Sequence, residues 1–300
     1  MCTSVETVHP NANLSWTGNI LLDNEFVRSL VVAQTVGIVF PETGRPDLPD
    51  LRRSIGSYYR IDHDWVFPGV GSSQVLDALV RFLGTVRVLD VVPNFHMARL
   101  SSDRDHLRYQ PVSIRDLSDL PGLLKKLSPP RGSLLMLCAP RNLFGDCPGY
   151  KAVRELLSHF PGIAVIDEAY AEFGSSNVIP LLSELPSLII VRTFSKAWGL
   201  ANLRIGYAIA PSLTRDFHSR FLLAYNLREL SERSARAMLA NPGPVLDSLE
   251  TVRTLRTTFW RSLSDLTGFF VWPSEATSSA WNIRKLGIFE MNLLPGESRL

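Results

Sequence analysis

A lysine in the middle of the chain is flanked by two strongly apolar segments. Lys196 follows Ser195 in a polar loop between the runs 188–191 and 205–210. Burying an unpaired ammonium group costs several kcal/mol, so a lysine in this position is expected to have a partner or to react. Arg204 would bring a permanent positive charge to the same cavity. We therefore interpret Lys196 as a Schiff-base lysine, whose uncharged amine attacks a carbonyl group.

The composition argues against several other classes of function. The chain has 300 residues, a net charge of +2 and no basic block interleaved with aromatic residues, so nucleic-acid binding is not expected. Its histidines and three cysteines lack the spacing of a metal site or of a disulfide framework. No apolar segment reaches the roughly 18–20 residues of a membrane span, and the first residues do not form a signal-peptide pattern. We therefore expect a cytoplasmic protein without a metal ion or a membrane partner.

Short apolar runs that alternate with amphipathic segments indicate the elements that must position Lys196. Strands are predicted over 86–92, 133–139, 163–166 and 188–192, and helices after Gly71 and over 150–160. Apolar strands separated by helices are typical of a parallel sheet covered on both faces, which is an α/β architecture. Ligands of such sheets bind beyond the carboxyl ends of the strands. We expect the residues at those ends to share one site: Phe95, Asn142, Asp167 and Lys196.

The remaining segments give weaker signals. Residues 20–25 are interpreted as a short extended entry segment, and residues 26–40 do not distinguish helix from strand. A loop rich in Pro and Gly over 41–47 precedes a helix through Tyr59, which Asp50 is expected to cap. Helical stretches over 215–240 and 246–263 precede short strands at 269–272 and 279–283, which would belong to a second lobe.

Two motifs resemble those of the pyridoxal-phosphate (PLP) aminotransferases of fold type I, class I and II. They are Asp167-Glu168-Ala169-Tyr170-Ala171-Glu172-Phe173, and Ser195-Lys196-Ala197-Trp198-Gly199-Leu200 followed by Arg204-Ile205-Gly206-Tyr207. Within this family the chain most resembles the histidinol-phosphate aminotransferases. The resemblance implies a three-layer α/β/α large domain with a mostly parallel sheet over 41–225, and a smaller α+β domain built from 1–40 and 226–300. It also implies the cofactor pyridoxal 5'-phosphate and a homodimer.

The resemblance assigns four residues to the reacting part of the cofactor. Lys196 would hold PLP as a Schiff base and, once displaced by the substrate amine, would carry a proton between the substrate α-carbon and C4′ of the cofactor. Asp167 would face the pyridine nitrogen and keep it protonated. With that cationic partner, charge is expected to outweigh burial and lower the pKa of Asp167. Tyr170 and Asn142 would hydrogen-bond the phenolic oxygen.

Further residues would bind the phosphate and the ring face of the cofactor. Two serines open a predicted helix after two glycines, where backbone N–H groups and the helix dipole converge. An arginine adds a fixed charge, and hydroxyl groups add donors. A phenylalanine after a strand end would stack on the ring. These residues are Ser72, Ser73, Thr193, Ser195, Arg204 and Phe95.

The chain departs from the family at two positions near the cofactor. The family has an Asn-Pro-Thr-Gly turn, whereas this chain has Asn142-Leu143-Phe144-Gly145. Without the proline and the threonine, the loop that carries Asn142 is expected to be less rigid than in the family. Phe40 stands where the family has a tyrosine that reaches the phosphate of the partner subunit, and phenylalanine has no hydroxyl group to donate.

The substrate side carries fewer of the family's features. Asn24 and Glu25 resemble an Asn-Glu pair that helps to frame the substrate. The family clamps the substrate α-carboxylate with an arginine in a later strand, and Arg299 is the remaining candidate here because the given sequence is shorter. The resemblance therefore predicts a family member with a shortened C-terminal part.

The leading interpretation is a PLP-dependent aminotransferase. It would transfer an amino group between an amino acid or an amino-alcohol phosphate and a 2-oxo acid. Two alternatives stay open. Threonine-phosphate decarboxylases and other PLP enzymes of specialised metabolism share these motifs, because outer residues decide which α-bond stands perpendicular to the ring. A non-catalytic PLP-binding homologue would keep the cofactor residues while losing those that bind the substrate.

Overall fold

The computed structural model describes residues 18–19, 21–38, 47–84, 86–142, 144–213, 217, 227–265, 269–283 and 287–292. For 269–270, 278–283 and 287–292 it describes the backbone only. Phe40, Leu143 and Arg299, which the sequence singled out, lie outside the described residues.

A seven-stranded sheet forms the centre of the fold. Its strands are β1 (Val66–Val70), β2 (Val88–Val92), β3 (Tyr109–Ser113), β4 (Leu134–Cys138), β5 (Ile163–Asp167), β6 (Leu188–Thr193) and β7 (Ile205–Ile209). They lie in the order β1-β7-β6-β5-β4-β2-β3. From β6 to β3 all neighbours pair in parallel, whereas β7 is antiparallel to both β1 and β6. The short 194–204 connection carries no crossover helix, so β7 returns beside β6 in the opposite direction.

Helices cover both faces of the sheet. Along β4, Leu134 and Met136 pack into one core and Leu135 and Leu137 into the other, because successive strand side chains point to opposite faces. The first face is covered by α3 (Gly71–Leu83) and α4 (Met97–Arg104), and the second by α2 (Pro49–Tyr59), α5 (Leu120–Leu127) and α6 (Tyr150–Ser158). The predicted three-layer α/β/α architecture with a mostly parallel sheet is confirmed.

Both ends of the described chain pack onto the second face. The helices there are α1 (Asn24–Ala33), α7 (Glu229–Ala240) and α8 (Gly243–Ser264). A separate antiparallel sheet contains β8 (Phe269–Val271), β9 (Ser278–Ile283) and β10 (Gly287–Asn292). The division into a large domain over 41–225 and a small domain from both ends stays a prediction. Within the described ranges, no helix combines the length and apolarity needed to cross a bilayer.

The start of α1 corrects one local prediction. Residues 20–25 were expected to be extended, but a helix begins at Asn24. Asp23 precedes it and its carboxylate accepts a hydrogen bond from the backbone N–H of Glu25 at 2.9 Å, which satisfies one of the unpaired donors of the first turn. The N-cap motif, rather than the apolar run before it, therefore decides the local structure.

The start of α2 corrects a second one. Asp50 was expected to cap this helix, but the cap position is Leu48, which has a φ of +48° and makes no side-chain cap bond. Pro49 occupies the first turn, where its missing N–H costs nothing. Asp50 lies one residue further on and pairs with Arg53.

Candidate active site

A cavity of about 310 Å³ lies beyond the carboxyl ends of β4, β5 and β6. Parallel strands bring residues that are distant in sequence to the same edge of the sheet, and a loop on each strand then lines the opening. Each residue that the resemblance assigned to the cofactor lines this cavity: Ser72, Ser73, Phe95, Asn142, Asp167, Tyr170, Thr193, Ser195, Lys196 and Arg204.

The loop that carries Lys196 is held by hydrogen bonds on both sides. The Thr193 hydroxyl donates to the carbonyl oxygen of Ile205 at 3.1 Å and accepts from the N–H of Ser195 at 3.1 Å. Asn19 donates from its backbone to the Lys196 carbonyl oxygen at 3.0 Å, and from its side chain to the next carbonyl at 3.0 Å. These bonds fix the direction in which the lysine leaves the strand. Its Nζ lies 5.3 Å from the ring centroid of Tyr170.

Asp167 and Lys196 are each shifted towards their uncharged forms. Asp167 ends β5 and is 5% exposed, and burial raises the pKa of its carboxyl group to about 6 against the opposing effects of the Ala169 N–H and the Lys196 charge. Burial also lowers the pKa of the half-buried Lys196; the Asp167 carboxylate opposes this shift, and Arg204 adds to it. An amine with a lowered pKa is more often unprotonated, which a nucleophile or a proton acceptor requires.

This result qualifies the expectation for Asp167. The sequence predicts that charge outweighs burial once a cationic group faces the carboxylate. With the Lys196 ammonium as the cationic group near the carboxylate, burial prevails and the pKa of Asp167 is raised. A protonated ring nitrogen beside the carboxylate would add the attraction that Lys196 alone does not provide.

The opposite end of the cavity has the donor set of a phosphate site. Helix α3 begins at Gly71, so its first N–H groups and the hydroxyl groups of Ser72 and Ser73 would be donors to an anion bound here. The Arg204 guanidinium donates to the Ser195 hydroxyl oxygen at 3.2 Å. These groups supply a fixed positive charge and several converging donors.

Glycine is required where α3 meets Arg204. Gly71 has a φ of +75°, and a Cβ atom there would lie 2.4 Å from Nη2 of Arg204. A Cβ atom on Gly206 would lie 2.1 Å from the backbone nitrogen of Ser72. The two glycines therefore allow the helix start, the arginine and β7 to lie close together.

The two ends of the cavity together fit PLP. A phosphate would meet the start of α3 and Arg204, while the ring nitrogen would meet the buried carboxylate of Asp167. Phe95 is half-buried beside these groups, and Tyr170 is buried on the same lining. An aromatic face, a buried acid and a phosphate cup are the features that such a cofactor needs.

Some lining residues were not assigned from the sequence. Gly18, Cys138, Ala169 and Ala201 also line the cavity. Cys138 is buried, and it is the register partner of Asp167 across β4 and β5. Its position at a strand end could have revealed it, whereas Gly18 lies in a segment without a sequence signal. Burial raises the pKa of the Cys138 thiol and so disfavours the thiolate, which is the nucleophilic form. Cys138 therefore lines the cavity without being activated as a nucleophile.

A buried ion cluster supports the site from the other face of the sheet, and sequence analysis did not identify it. Arg192 of β6 binds Glu168, the residue after Asp167, at 2.7 Å from Nη2 to Oε2. Glu172 accepts from the Tyr59 hydroxyl at 3.2 Å and from the Trp198 indole at 3.3 Å. The cluster holds the end of β5 against β6. It thereby also maintains the distance between Asp167, at the end of β5, and Lys196, in the loop after β6.

Asn24 and Glu25, which the resemblance assigned to the substrate, lie outside the lining of the cavity. Both are exposed on α1, and Glu25 pairs with Arg28 at 3.0 Å. The structure thus gathers the cofactor residues and leaves the substrate contacts among the described residues open.

Comparison with known proteins supports the same assignment. A family model described as aminotransferase class I and II matches residues 39–283. The histidinol-phosphate aminotransferase of Ruminiclostridium cellulolyticum is 29% identical over 247 residues, which are 79% of this chain and 68% of that protein. The same enzyme of Roseiflexus castenholzii is 31% identical over 243 residues, which are 79% of this chain and 64% of that protein. The chain thus spans about two thirds of the length of these relatives.

Solved structures show the same fold. The L-threonine-O-3-phosphate decarboxylase of Porphyromonas gingivalis has a TM-score of 0.75 and 22% identity, over 90% of this chain and 81% of that chain. The histidinol-phosphate aminotransferase of Sinorhizobium meliloti in complex with pyridoxal-5'-phosphate has a TM-score of 0.75 and 22% identity, over 86% and 72%. The fold predicted from the sequence is therefore confirmed. Because the family model extends from before α2 to the end of β9, the chain belongs to the class I and II aminotransferases, a family of transferase enzymes.

Proposed function

We propose that this chain is a PLP-dependent aminotransferase that moves an amino group between an amino acid or an amino-alcohol phosphate and a 2-oxo acid. One observation carries the proposal: the residues assigned to the cofactor from separate strands and loops all line one cavity. The similarity to histidinol-phosphate aminotransferases supports an amino compound that bears a phosphate group as the substrate. Family resemblance also supports a homodimer in the cytoplasm.

Each residue has a role that its environment supports. PLP would supply an electron sink for the charge that develops at the substrate α-carbon. Asp167 would keep a proton on the ring nitrogen of the bound cofactor, and the Lys196 amine would bind the cofactor and move a proton at the substrate α-carbon. The lowered pKa of Lys196 favours the unprotonated amine that both tasks need. Arg204 and the start of α3 would hold the phosphate group, and Phe95 would pack against the ring.

Absorption spectroscopy of the purified protein tests the cofactor assignment. PLP is added to the wild type, to Lys196→Ala and to Lys151→Ala, which alters an exposed lysine on α6. The wild type and Lys151→Ala should show a visible band that survives gel filtration, and Lys196→Ala should lose it. A visible band of unchanged position and strength in Lys196→Ala would contradict the proposal.

Product analysis then tests the reaction. The protein is given a panel of amino donors, including amino-alcohol phosphates, with and without a 2-oxo acid acceptor. Transamination requires the acceptor and yields a new amino acid. Release of carbon dioxide without an acceptor would favour the decarboxylase alternative. Bound PLP whose spectrum no donor changes would favour the non-catalytic alternative.

A further inference from the structure

The loop that carries Asn142 is built around a buried arginine. We define the Asn142 loop as residues 141–146, of which 143 lies outside the described residues. Arg141 is fully buried. Its guanidinium binds both carboxylate oxygens of Asp146, from Nε at 2.7 Å and from Nη2 at 2.6 Å. Such a two-pronged pair fixes orientation as well as distance.

The same guanidinium reaches outside the loop. It donates to the carbonyl oxygens of Ile114 and Arg115, at 2.9 and 2.8 Å, in the segment after β3. It also lies over the ring of Phe144, 4.8 Å from the centroid. Arg141 therefore uses four of its five N–H groups and one face on fixed partners.

Backbone bonds close the loop, and its outer side meets the segment after β8. The N–H of Arg141 donates to the carbonyl oxygen of Asp146, and the N–H of Gly145 to that of Arg141, both at 2.8 Å. Phe144 packs against Trp272 with ring centroids 5.7 Å apart. The Gly145 carbonyl oxygen accepts from the N–H of Glu275 at 2.7 Å. The loop is thus held at both of its ends and on its outer side.

These contacts replace a source of rigidity that the sequence lacks. The family's turn contains a proline, which restricts the backbone, and a threonine, which can bond to it. This chain has Leu143 and Phe144 at those positions. A loop with fewer backbone restrictions must be ordered by other interactions, and the buried arginine is the residue that makes them.

We propose that Arg141 is a positioning residue, which holds the Asn142 amide at the place where it meets the phenolic oxygen of the cofactor ring. This inference rests on the proposed function. Arg141 itself does not line the cavity, so it acts through Asn142 and the loop backbone.

The test follows the pH at which the visible band of the bound cofactor changes. A hydrogen bond donated to the phenolic oxygen stabilises the deprotonated chromophore, so Asn142→Ala should raise this midpoint by about one pH unit. Arg141→Lys keeps the charge but cannot make the two-pronged bond. It should raise the midpoint by about half a unit in the wild type. In the Asn142→Ala background, Arg141→Lys should cause no further shift of the midpoint, because the residue that Arg141 positions is gone.

Controls separate positioning from a purely structural role. Arg154→Lys alters an exposed arginine that binds Glu184 at 3.0 Å, and it should leave the midpoint unchanged. If Arg141→Lys does not fold, Asp146→Asn is measured in the same two backgrounds and should give the same pattern.

Three results would overturn the inference. The first is a lower melting temperature in Arg141→Lys with an unchanged midpoint. The second is an equal shift with and without Asn142. Both leave the proposed function intact. The third is a wild type that binds no PLP, which refutes the proposed function itself and removes the ring that Asn142 would meet.

Discussion

Replacing Asp167 by asparagine should stabilise the protein that holds no cofactor and weaken its hold on PLP. Burial raises the pKa of this carboxyl group from 3.8 to about 6 in the folded chain. The folded state therefore binds more protons than the unfolded state between about pH 4 and pH 6. A rise of roughly two pKa units corresponds to a loss of about 3 kcal/mol of unfolding free energy once the pH exceeds 6. Asparagine stays neutral and avoids this loss.

The assay is urea unfolding of the cofactor-free wild type and Asp167→Asn at pH 4.5, 6 and 7.5. The variant should be the more stable one at pH 7.5, by up to about 3 kcal/mol, and the difference should fall to about 1 kcal/mol at pH 4.5, which lies between the two pKa values. The asparagine oxygen can still accept the 3.1 Å bond from the Ala169 N–H, so that contact does not confuse the comparison. With saturating PLP the order should reverse, because only the carboxylate pairs with a protonated ring nitrogen.

The pH dependence of the difference is the decisive quantity. A difference that stays constant across the three pH values, or a cofactor-free variant that is less stable at pH 7.5, would refute the reasoning. Asp247→Asn changes an exposed carboxylate on α8 and serves as the control. It should change the unfolding free energy by less than about 0.5 kcal/mol.

Two further substitutions test the supports of the site. Gly71→Ala should reduce PLP affinity in equilibrium dialysis at least tenfold and lower the unfolding free energy by about 1–3 kcal/mol. The added Cβ atom would lie 2.4 Å from Nη2 of Arg204, and residue 71 has a left-handed backbone conformation that alanine disfavours. Unchanged affinity would contradict this prediction. Arg192→Met should cost about 3–5 kcal/mol in urea unfolding at pH 8, because Glu168 is left buried without its partner. The loss should shrink as the pH falls, because burial raises the pKa of the Glu168 carboxyl group and protonation removes its unpaired charge; a loss that grows towards lower pH would contradict the reasoning.

Most of the central sheet could be predicted from the sequence. The runs 134–138, 163–166 and 188–191, which became β4 and most of β5 and β6, are apolar and almost wholly buried, so hydrophobic pattern alone marks them. The pattern failed for β1 and β3. Both contain a proline, Pro68 and Pro111, and β3 is a partly exposed edge strand. Such segments are hard to distinguish from loops, because proline removes a donor and an edge needs only one buried face.

Some residues of the candidate site could likewise be predicted from the sequence, and others could not. Lys196, Asp167 and Asn142 could be placed at one edge of the sheet because residues that follow parallel strands must meet there. Two features could not be predicted from the sequence: the position of Gly18 in the cavity lining, and the pairing of Arg141 with Asp146. Nothing in the sequence near Gly18 indicates that the chain passes the Lys196 loop, and the spacing of Arg141 and Asp146 does not indicate that the arginine is buried.

The sequence by itself determined which chemical groups stand at the strand ends, because those positions follow from the order of apolar and polar residues along the chain. Only the tertiary structure decided how these groups are charged and held. The pKa of Asp167 depends on how many atoms bury it, and the hold on Asn142 depends on carbonyl groups of residues 114 and 115. Burial and long-range hydrogen bonds join residues that are distant in sequence, so they exist only once the chain has folded.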